Sequence, residues 1–338
     1  MILVLDDGRA GHLNQILGVL KRRPSWQYHV VRIQFKNQLC LFLANLSVFF
    51  GYANQSILKL VLGHKLSNEL LKLGSMDAIF SAGSYCAAVN YILGKIFQSK
   101  TVLFLESTLT RFGVPFDLNI IPYHDCPAKN SKTIKLVMSP HMIRPEDYQN
   151  AVLKFTEVKK LSKRPKIAFL IGGSSKHFNF NMQWFTKMAN LLEQFCVRSN
   201  WSLLVTTSRR SPIAIEDVLK NMTTIEDLVL VHKNSWNPVQ TYLGLCEHVL
   251  VTEDSFSMMS EALASKKPVT VLKVPHYQNS SKFTKTLDYM ESRKWITFWN
   301  ENVVDLESLF IHPVRSLDIP DDTEEAAIQI EKCLGRSS

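Results

Sequence analysis

No run of about twenty apolar residues occurs in this 338-residue chain, so no helix is expected to span a bilayer. The six cysteines, Cys40, Cys86, Cys126, Cys196, Cys246 and Cys333, are scattered without a C-x-x-C pair. That spacing excludes a zinc ribbon or a disulfide framework, and reads as small buried hydrophobes in a reducing cytoplasm. Glycine and proline, 13 each, are not enriched, and no repeat or low-complexity tract is present, which excludes solenoids and disordered arrays. The G-x-G-x-x-G fingerprint and the G-x-x-x-x-G-K-[ST] frame are missing, so dinucleotide dehydrogenases and P-loop enzymes drop out. No Asp-x-Asp pair is present, and Glu253 and Asp254 have no third ligand at a readable spacing, so no metal is expected. The opening Met-Ile-Leu-Val-Leu-Asp-Asp-Gly lacks a basic leader; Asp6 and Asp7 end its apolar run at once, and it reads as a first buried strand.

What is present is a globular composition: 46 % hydrophobic, 20 % charged, with a formal net charge of +9. The basic balance favours anionic partners such as nucleotides or phospholipid headgroups. Without a recognition motif or a long basic block, nucleic acid is not expected among them.

Short β-branched or Leu-rich runs alternate with helical periods, the signature of parallel sheets covered on both faces. Strands are expected at Ile2–Leu5, His29–Gln34, Ala78–Phe80, Thr101–Leu105 and Asn119–Ile121, with helices at Leu13–Lys21, Leu66–Leu73 and Cys86–Phe97. The basic, proline-containing stretch ending near Lys166 breaks this rhythm, and the alternation restarts at Ile167–Ile171. Later strands are expected at Ser202–Thr206, Leu228–His232, Val249–Thr252 and Val269–Leu272. The expectation is two doubly wound α/β domains facing across a cleft: residues 1–150, a linker at 151–165, a second domain at 166–320, and a closing helix and tail at 321–338.

Four turns after strands carry the polar residues. In Asp6-Asp7-Gly8-Arg9-Ala10-Gly11-His12, the glycines permit a tight turn and His12 stands near a helix start. His12 is a candidate general base, Asp7 an alternate one, and Gly8, Gly11, Asn14 and Gln15 would line the acceptor side. In Gly172-Gly173-Ser174-Ser175-Lys176, two glycines, hydroxyls and a lysine suit a phosphate cradle. In Thr207-Ser208-Arg209, hydroxyls and a guanidinium suit a diphosphate. In Ser255-Phe256-Ser257 the serines open a helix, and Glu261 lies further along it, where a carboxylate can accept both ribose hydroxyls. Each of these also has a plain structural reading as a strand-to-helix turn or a surface acid. Ser81–Cys86 lacks the glycines of a G-x-S-x-G nucleophile turn, against a hydrolase. The apolar stretch Leu39–Leu62, with lysines and arginines nearby, fits two short helices lying in a membrane interface or, equally, helices of the first domain's core.

The runs DDGRAGHLNQ, IGGSSKHFNF, TTSRRSP and VTEDSFSMMSEALASKKPV, in this order and over nearly the whole chain, resemble the mitochondrial-fission ELM (elongated mitochondria) family, whose bacterial branch is associated with glycosyltransferases. Gly11-His12 and Ser257…Glu261 are also similar to matching positions in GT-B glycosyltransferases, such as the lipid-intermediate N-acetylglucosaminyltransferases of peptidoglycan synthesis. The GRAGH turn departs from their multi-glycine loop. The resemblance implies a GT-B-like fold that moves a sugar from a nucleotide-diphosphate donor to a lipid-linked or lipopolysaccharide-type acceptor. The nucleotide sugar would be substrate, with no cofactor, and the site cytoplasmic, peripheral at the inner face of the cytoplasmic membrane. A nucleotide-sugar epimerase, and a non-catalytic membrane- or organelle-associated scaffold, are the alternatives.

Overall fold

Alternation of side chains along a strand gives the first sheet its two cores. In the computed structural model, which describes residues 1–125, 130–175, 177–277, 284–303, 305–313 and 318–335, β1 (Ile2–Asp6) sends Leu3 and Leu5 to one face and Ile2 and Val4 to the other. Leu3 and Leu5 join a core with residues of α2 (Gln38–Phe49), α3 (Gln55–Leu62), α4 (His64–Lys72) and α5 (Gly83–Phe97). Ile2 and Val4 pack with α1 (Ala10–Lys21) and with Ala326, Ala327 and Ile330 of α14 (Asp322–Cys333). With β2 (Tyr28–Arg32), β3 (Ala78–Ala82), β4 (Lys100–Phe104), β5 (Leu118–Pro122) and β6 (Thr133–Leu136), β1 forms a parallel sheet of order β2-β1-β3-β4-β5-β6. Strands covered on both faces are buried along their whole length, as β3 is. The short α6 (Thr108–Arg111) follows β4.

The closing helix is tied to this sheet by charge as well as packing. The Arg23 guanidinium reaches Glu331 at 2.8 Å and Glu324 at 2.8 Å, and Arg22 meets Asp321 at 2.9 Å. Buried Asp322 accepts the Met138 amide at 2.6 Å, and burial pushes its carboxyl up to about 6.

Contacts divide the chain into two units, Met1–Met142 with Asp321–Ser338, and Ile143–Pro320. The second has its own parallel sheet of β7 (Lys166–Ile171), β8 (Ser202–Thr207), β9 (Ile225–Val229), β10 (His248–Thr252), β11 (Val269–Leu272) and β12 (Thr297–Trp299), in the order β12-β11-β10-β7-β8-β9. Around it lie α7 (Pro145–Val158), α8 (Met182–Ser199), α9 (Ile215–Lys220), α10 (Val239–Leu245), α11 (Phe256–Ala264), α12 (Thr284–Ser292) and α13 (Leu306–Phe310).

Two expectations are corrected here. The boundary at residue 150 and the linker beginning at 151 cut through α7, which belongs to the second unit. The helix seats on α10 at Gly244, where a Cβ would come within 2.6 Å of Val152 Cγ2, so packing overrides the polar look of the segment. The strand expected at Leu228–His232 runs instead over Ile225–Val229. Its acids are neutralised in place: Glu226 pairs with Arg164 at 3.1 Å, and Asp227 pairs with Lys159 and takes the Tyr242 hydroxyl.

Among the described residues no helix is long and apolar enough to cross a membrane. Cys40, Cys86, Cys196 and Cys246 are buried free thiols and Cys333 is half-buried, while Cys126 lies outside the described residues. Burial pushes the Cys196 and Cys246 thiols up to about 12, far from the range of a reactive thiolate.

Candidate functional site

Each sheet reverses its strand order at one place: between β1 and β3 in the first, and between β7 and β10 in the second. Connections leave such a point in opposite directions, so the carboxyl ends of the strands there are left open for ligands.

At the first switch point, Gly8 takes φ +81, and the turn is tied down by its own acids: Gly8 N donates to Asp6 Oδ1 at 2.7 Å and Arg9 N to Asp7 Oδ1 at 3.0 Å. Arg32 crosses over Gly8 to reach Asp6 at 3.0 Å, where any Cβ on Gly8 would collide with the guanidinium. Helix α1 then starts without a side-chain cap and carries His12 in its first turn. His12 Nδ1 lies 2.8 Å from Asp7 Oδ2, while the Asp7 side chain is only 3 % exposed. A carboxylate on Nδ1–H leaves the Nε2 lone pair facing outward; Nε2 has no hydrogen-bond partner among the described residues. The ring rests on Gly83, whose φ of +67 opens α5; a Cβ there would lie 3.0 Å from His12 Cε1. Gly11 and Asn14 are exposed and Gln15 is half-buried. Both oxygens of Asp7 accept hydrogen bonds, one from Arg9 N and one at His12 Nδ1.

Two neighbours complete this end of the sheet. Ser84, after Gly83, accepts the Thr108 amide at 3.1 Å and so links α5 to α6. Leu105 holds φ +67 at the end of β4, a strained position for leucine, next to Glu106, which is paired with Arg111 at 2.6 Å.

At the second switch point the turns are stitched together. Gly172 N donates to Thr252 Oγ1 at 2.7 Å, and Gly173 N to Asp254 Oδ2 at 2.7 Å. Arg210 reaches the same carboxylate at 3.0 Å, and the Ser211 hydroxyl donates to Gly172 O. The expectation that the Gly172 and Gly173 amides cradle a phosphate is therefore corrected: both are already used. Thr207 and Ser208 also have partners within the protein. Buried Thr207 accepts the Val231 amide at 3.1 Å, and Ser208 lies 3.2 Å from Ser211. Arg209 is exposed, with no ion pair among the described residues, and Ser174 is exposed; Lys176 lies outside the described residues. Helix α11 starts at the end of β10 with no side-chain cap from Ser255, beside exposed Ser257. Glu261, one turn further, makes no ion pair among the described residues, and burial pushes its carboxyl up to about 7.

Glu253 serves the structure. Glu253 is buried and meets Lys273 at 3.1 Å and His276 at 3.1 Å. Among the described residues no group of three His, Cys, Asp or Glu side chains is placed to hold a metal ion.

A cavity in the second unit and a groove in the first are also present. In the second unit a cavity of about 650 Å³ is floored by Trp236 stacked on Phe155 at 5.6 Å, with the amides of Asn150, Asn237 and Gln240 around it. In the first unit α2 buries Cys40, Ala44 and Val48 and turns Leu39, Phe42, Leu46 and Phe49 outward. Phe50 and Phe112 extend this apolar face around a groove of about 470 Å³. The α2 part of Leu39–Leu62 thus has one face in the first unit's core and the other exposed.

The model of the family described as "Mitochondrial fission ELM1" matches residues 10–334. An uncharacterized protein of Rickettsia prowazekii (strain Madrid E) is 26 % identical over 364 aligned residues, covering 98 % of this chain and 99 % of that protein. Among solved structures, the UDP-GlcNAc 2-epimerase of Methanocaldococcus jannaschii aligns with a TM-score of 0.58 at 9 % identity, covering 98 % of each chain. The glycosyltransferase of kitacinnamycin aligns at 0.54 and 11 % identity, again over 98 % of each chain. The two-sheet architecture is that of the GT-B glycosyltransferases and of these epimerases.

Proposed function

This chain belongs to the mitochondrial fission ELM1 family, and on that premise we propose that it is a glycosyltransferase using a nucleotide-diphosphate sugar. The observation that carries the reading is the pair of switch points. One holds a histidine set by a buried carboxylate at 2.8 Å; the other holds an uncapped helix start followed by the acid Glu261.

The first unit is assigned the acceptor. His12 Nε2 takes the proton of the acceptor hydroxyl, and Asp7 fixes the ring and stabilises the imidazolium that forms. The second unit is assigned the donor. The N-terminus of α11, with Ser255 and Ser257, meets the phosphates, and Glu261 accepts the ribose hydroxyls. The aromatic floor and amides of the Trp236 cavity suit the base. As the new glycosidic bond forms, the sugar–phosphate bond breaks and the diphosphate leaves with its electron pair. Backbone amides, the helix dipole and an arginine of the β8 turn stabilise that charge, so activity is expected to persist in chelator.

The outward apolar face of α2 supports a lipid-linked or lipopolysaccharide-type acceptor met at the inner face of the cytoplasmic membrane, with the protein peripheral to it. Thermal-shift screening against nucleotides and nucleotide sugars tests the donor reading, because a ligand of the native state raises its stability. A nucleoside diphosphate should raise the melting temperature, and its nucleotide sugar should be consumed faster once acceptor is added. Conversion of the sugar without acceptor would replace transfer by epimerisation. Absence of any nucleotide effect would favour a non-catalytic scaffold.

A further inference from the structure

We propose that Arg210, and not the exposed Arg209 beside it, is the cation that meets the diphosphate, and that Asp254 is the positioning residue that holds it in place. The inference rests on the nucleotide-sugar reading and names the group that reads the diphosphate within it.

Two adjacent arginines leave the same strand end, yet only one is placed. Arg210 Nη2 donates to Asp254 Oδ2 at 3.0 Å and lies 3.3 Å from Asp254 O, while Nη1 lies 3.4 Å from Gly173 O. One side of the guanidinium is thereby pinned across the β7 and β10 turns. The side chain is still 43 % exposed. A guanidinium has five N–H donors, and these contacts leave two of them unused.

The surroundings are arranged at a cost around that position. The Asp254 side chain is fully buried, with Oδ2 occupied by Gly173 N and Arg210. Burying a carboxylate is costly even when it is paired. It is admitted only because Gly172 has no side chain: a Cβ there would lie 2.2 Å from Asp254 Oδ2. At Gly173 a Cβ would lie 2.0 Å from Arg210 O, so the second glycine admits the arginine backbone itself. The two glycines that look like a phosphate cradle thus fit an aspartate and an arginine against each other. An arginine already immobilised loses little further freedom on binding and offers its remaining donors, at fixed positions, to phosphate oxygens.

The test is calorimetry on the full chain with nucleoside, nucleoside monophosphate and nucleoside diphosphate of each of the five common bases. The readout is the ratio of diphosphate to nucleoside affinity for the base that the unmodified chain binds. Arg210→Ala should lower that ratio about tenfold to a hundredfold, the range for a lost charged hydrogen bond, and Arg209→Ala by much less. Asp254→Asn should lower it too, and the double variant Asp254→Asn/Arg210→Ala should be no worse than Arg210→Ala, because Asp254 acts through Arg210. Nucleoside affinity is the folding control; if Arg210→Ala loses that as well, Arg210→Lys and Arg210→Gln decide, with lysine retaining more of the ratio than glutamine. An Arg209 loss equal to that of Arg210, additive losses, or tighter diphosphate binding by Asp254→Asn would each overturn the proposal. Failure of the unmodified chain to bind any diphosphate would instead overturn the donor reading beneath it.

Discussion

At the β1/β3 end of the first sheet, the histidine ring has one nitrogen held by Asp7 and the other without a partner, on a floor made of glycine. At the β7/β10 end of the second sheet, glycine amides, Thr252, Asp254, Arg210 and Ser211 are bonded to one another. The first arrangement leaves a reactive group free to take a proton. The second fixes groups before a ligand arrives, so little freedom remains to be lost on binding. Two sheets that reverse order in the same manner therefore support different tasks, and the difference lies in what the turns do with their own polar groups.

The comparison breaks most visibly at His12. His12→Ala should lower turnover about 10²–10⁴-fold while nucleotide affinity stays close to that of the unmodified chain. Asp7→Asn should also lower turnover, since Nδ1–H then loses its charged acceptor. Steady-state kinetics alongside calorimetry separates the two effects; if both variants turn over normally, Glu106 is the next group to test.

Next in size is the pH response of the second switch point. Glu261 titrates near pH 7, and ribose hydroxyls bind its ionised form, so nucleotide affinity should fall roughly tenfold per unit as pH drops below 7. Glu261→Gln should flatten that profile. The stability effect has the opposite sense. A carboxyl raised from 4.5 to about 7 by folding is a cost that is absent below pH 4.5, grows up to about 7 and is constant above. Thermal unfolding of Glu261→Gln against the unmodified chain should show that cost removed at pH 8 and no difference at pH 4. A flat affinity profile in the unmodified chain would detach Glu261 from the ligand.

The apolar face of α2 separates the units in another way. Phe42→Glu with Phe49→Glu should reduce flotation on anionic liposomes about tenfold or more, the scale of two lost aromatic insertions. Nucleotide binding by the second unit should not change. Equally poor flotation of the unmodified chain on anionic and neutral vesicles would remove the membrane reading.

The smallest effects compare two glycines. Gly83→Ala forces alanine to φ +67 and crowds His12, at about 1–2 kcal/mol, and should lower turnover more than nucleotide affinity. Gly172→Ala has no such backbone penalty but places a Cβ 2.2 Å from Asp254 Oδ2, and should lower nucleotide affinity more than it disturbs His12. Variants that affect both readouts alike would show that the two ends are not separate in function.

Alternation of apolar strands and amphipathic helices is a local property, and it alone determined two parallel, doubly wound sheets, because a strand buried on both faces must be apolar along its length. The turn after each strand was legible for the same reason: Gly8, His12, Gly172 and Ser255 stand where an apolar run stops and a helical period begins. Periodicity could not show which amides those turns consume. Gly172 and Gly173 look free in sequence and are bonded to residues 80 or more positions away. Arg209 and Arg210 are equivalent in the chain and differ only because Asp254 pairs with one of them. Helix α7 looks like a linker until Gly244 gives it a surface to lie on, and β9 carries acids that only Arg164 and Lys159 make tolerable in a strand. Local patterning encodes which residues form elements and where the turns fall. The partners of polar groups are set by which distant turns the sheet order brings side by side, and that was decided by the tertiary structure alone.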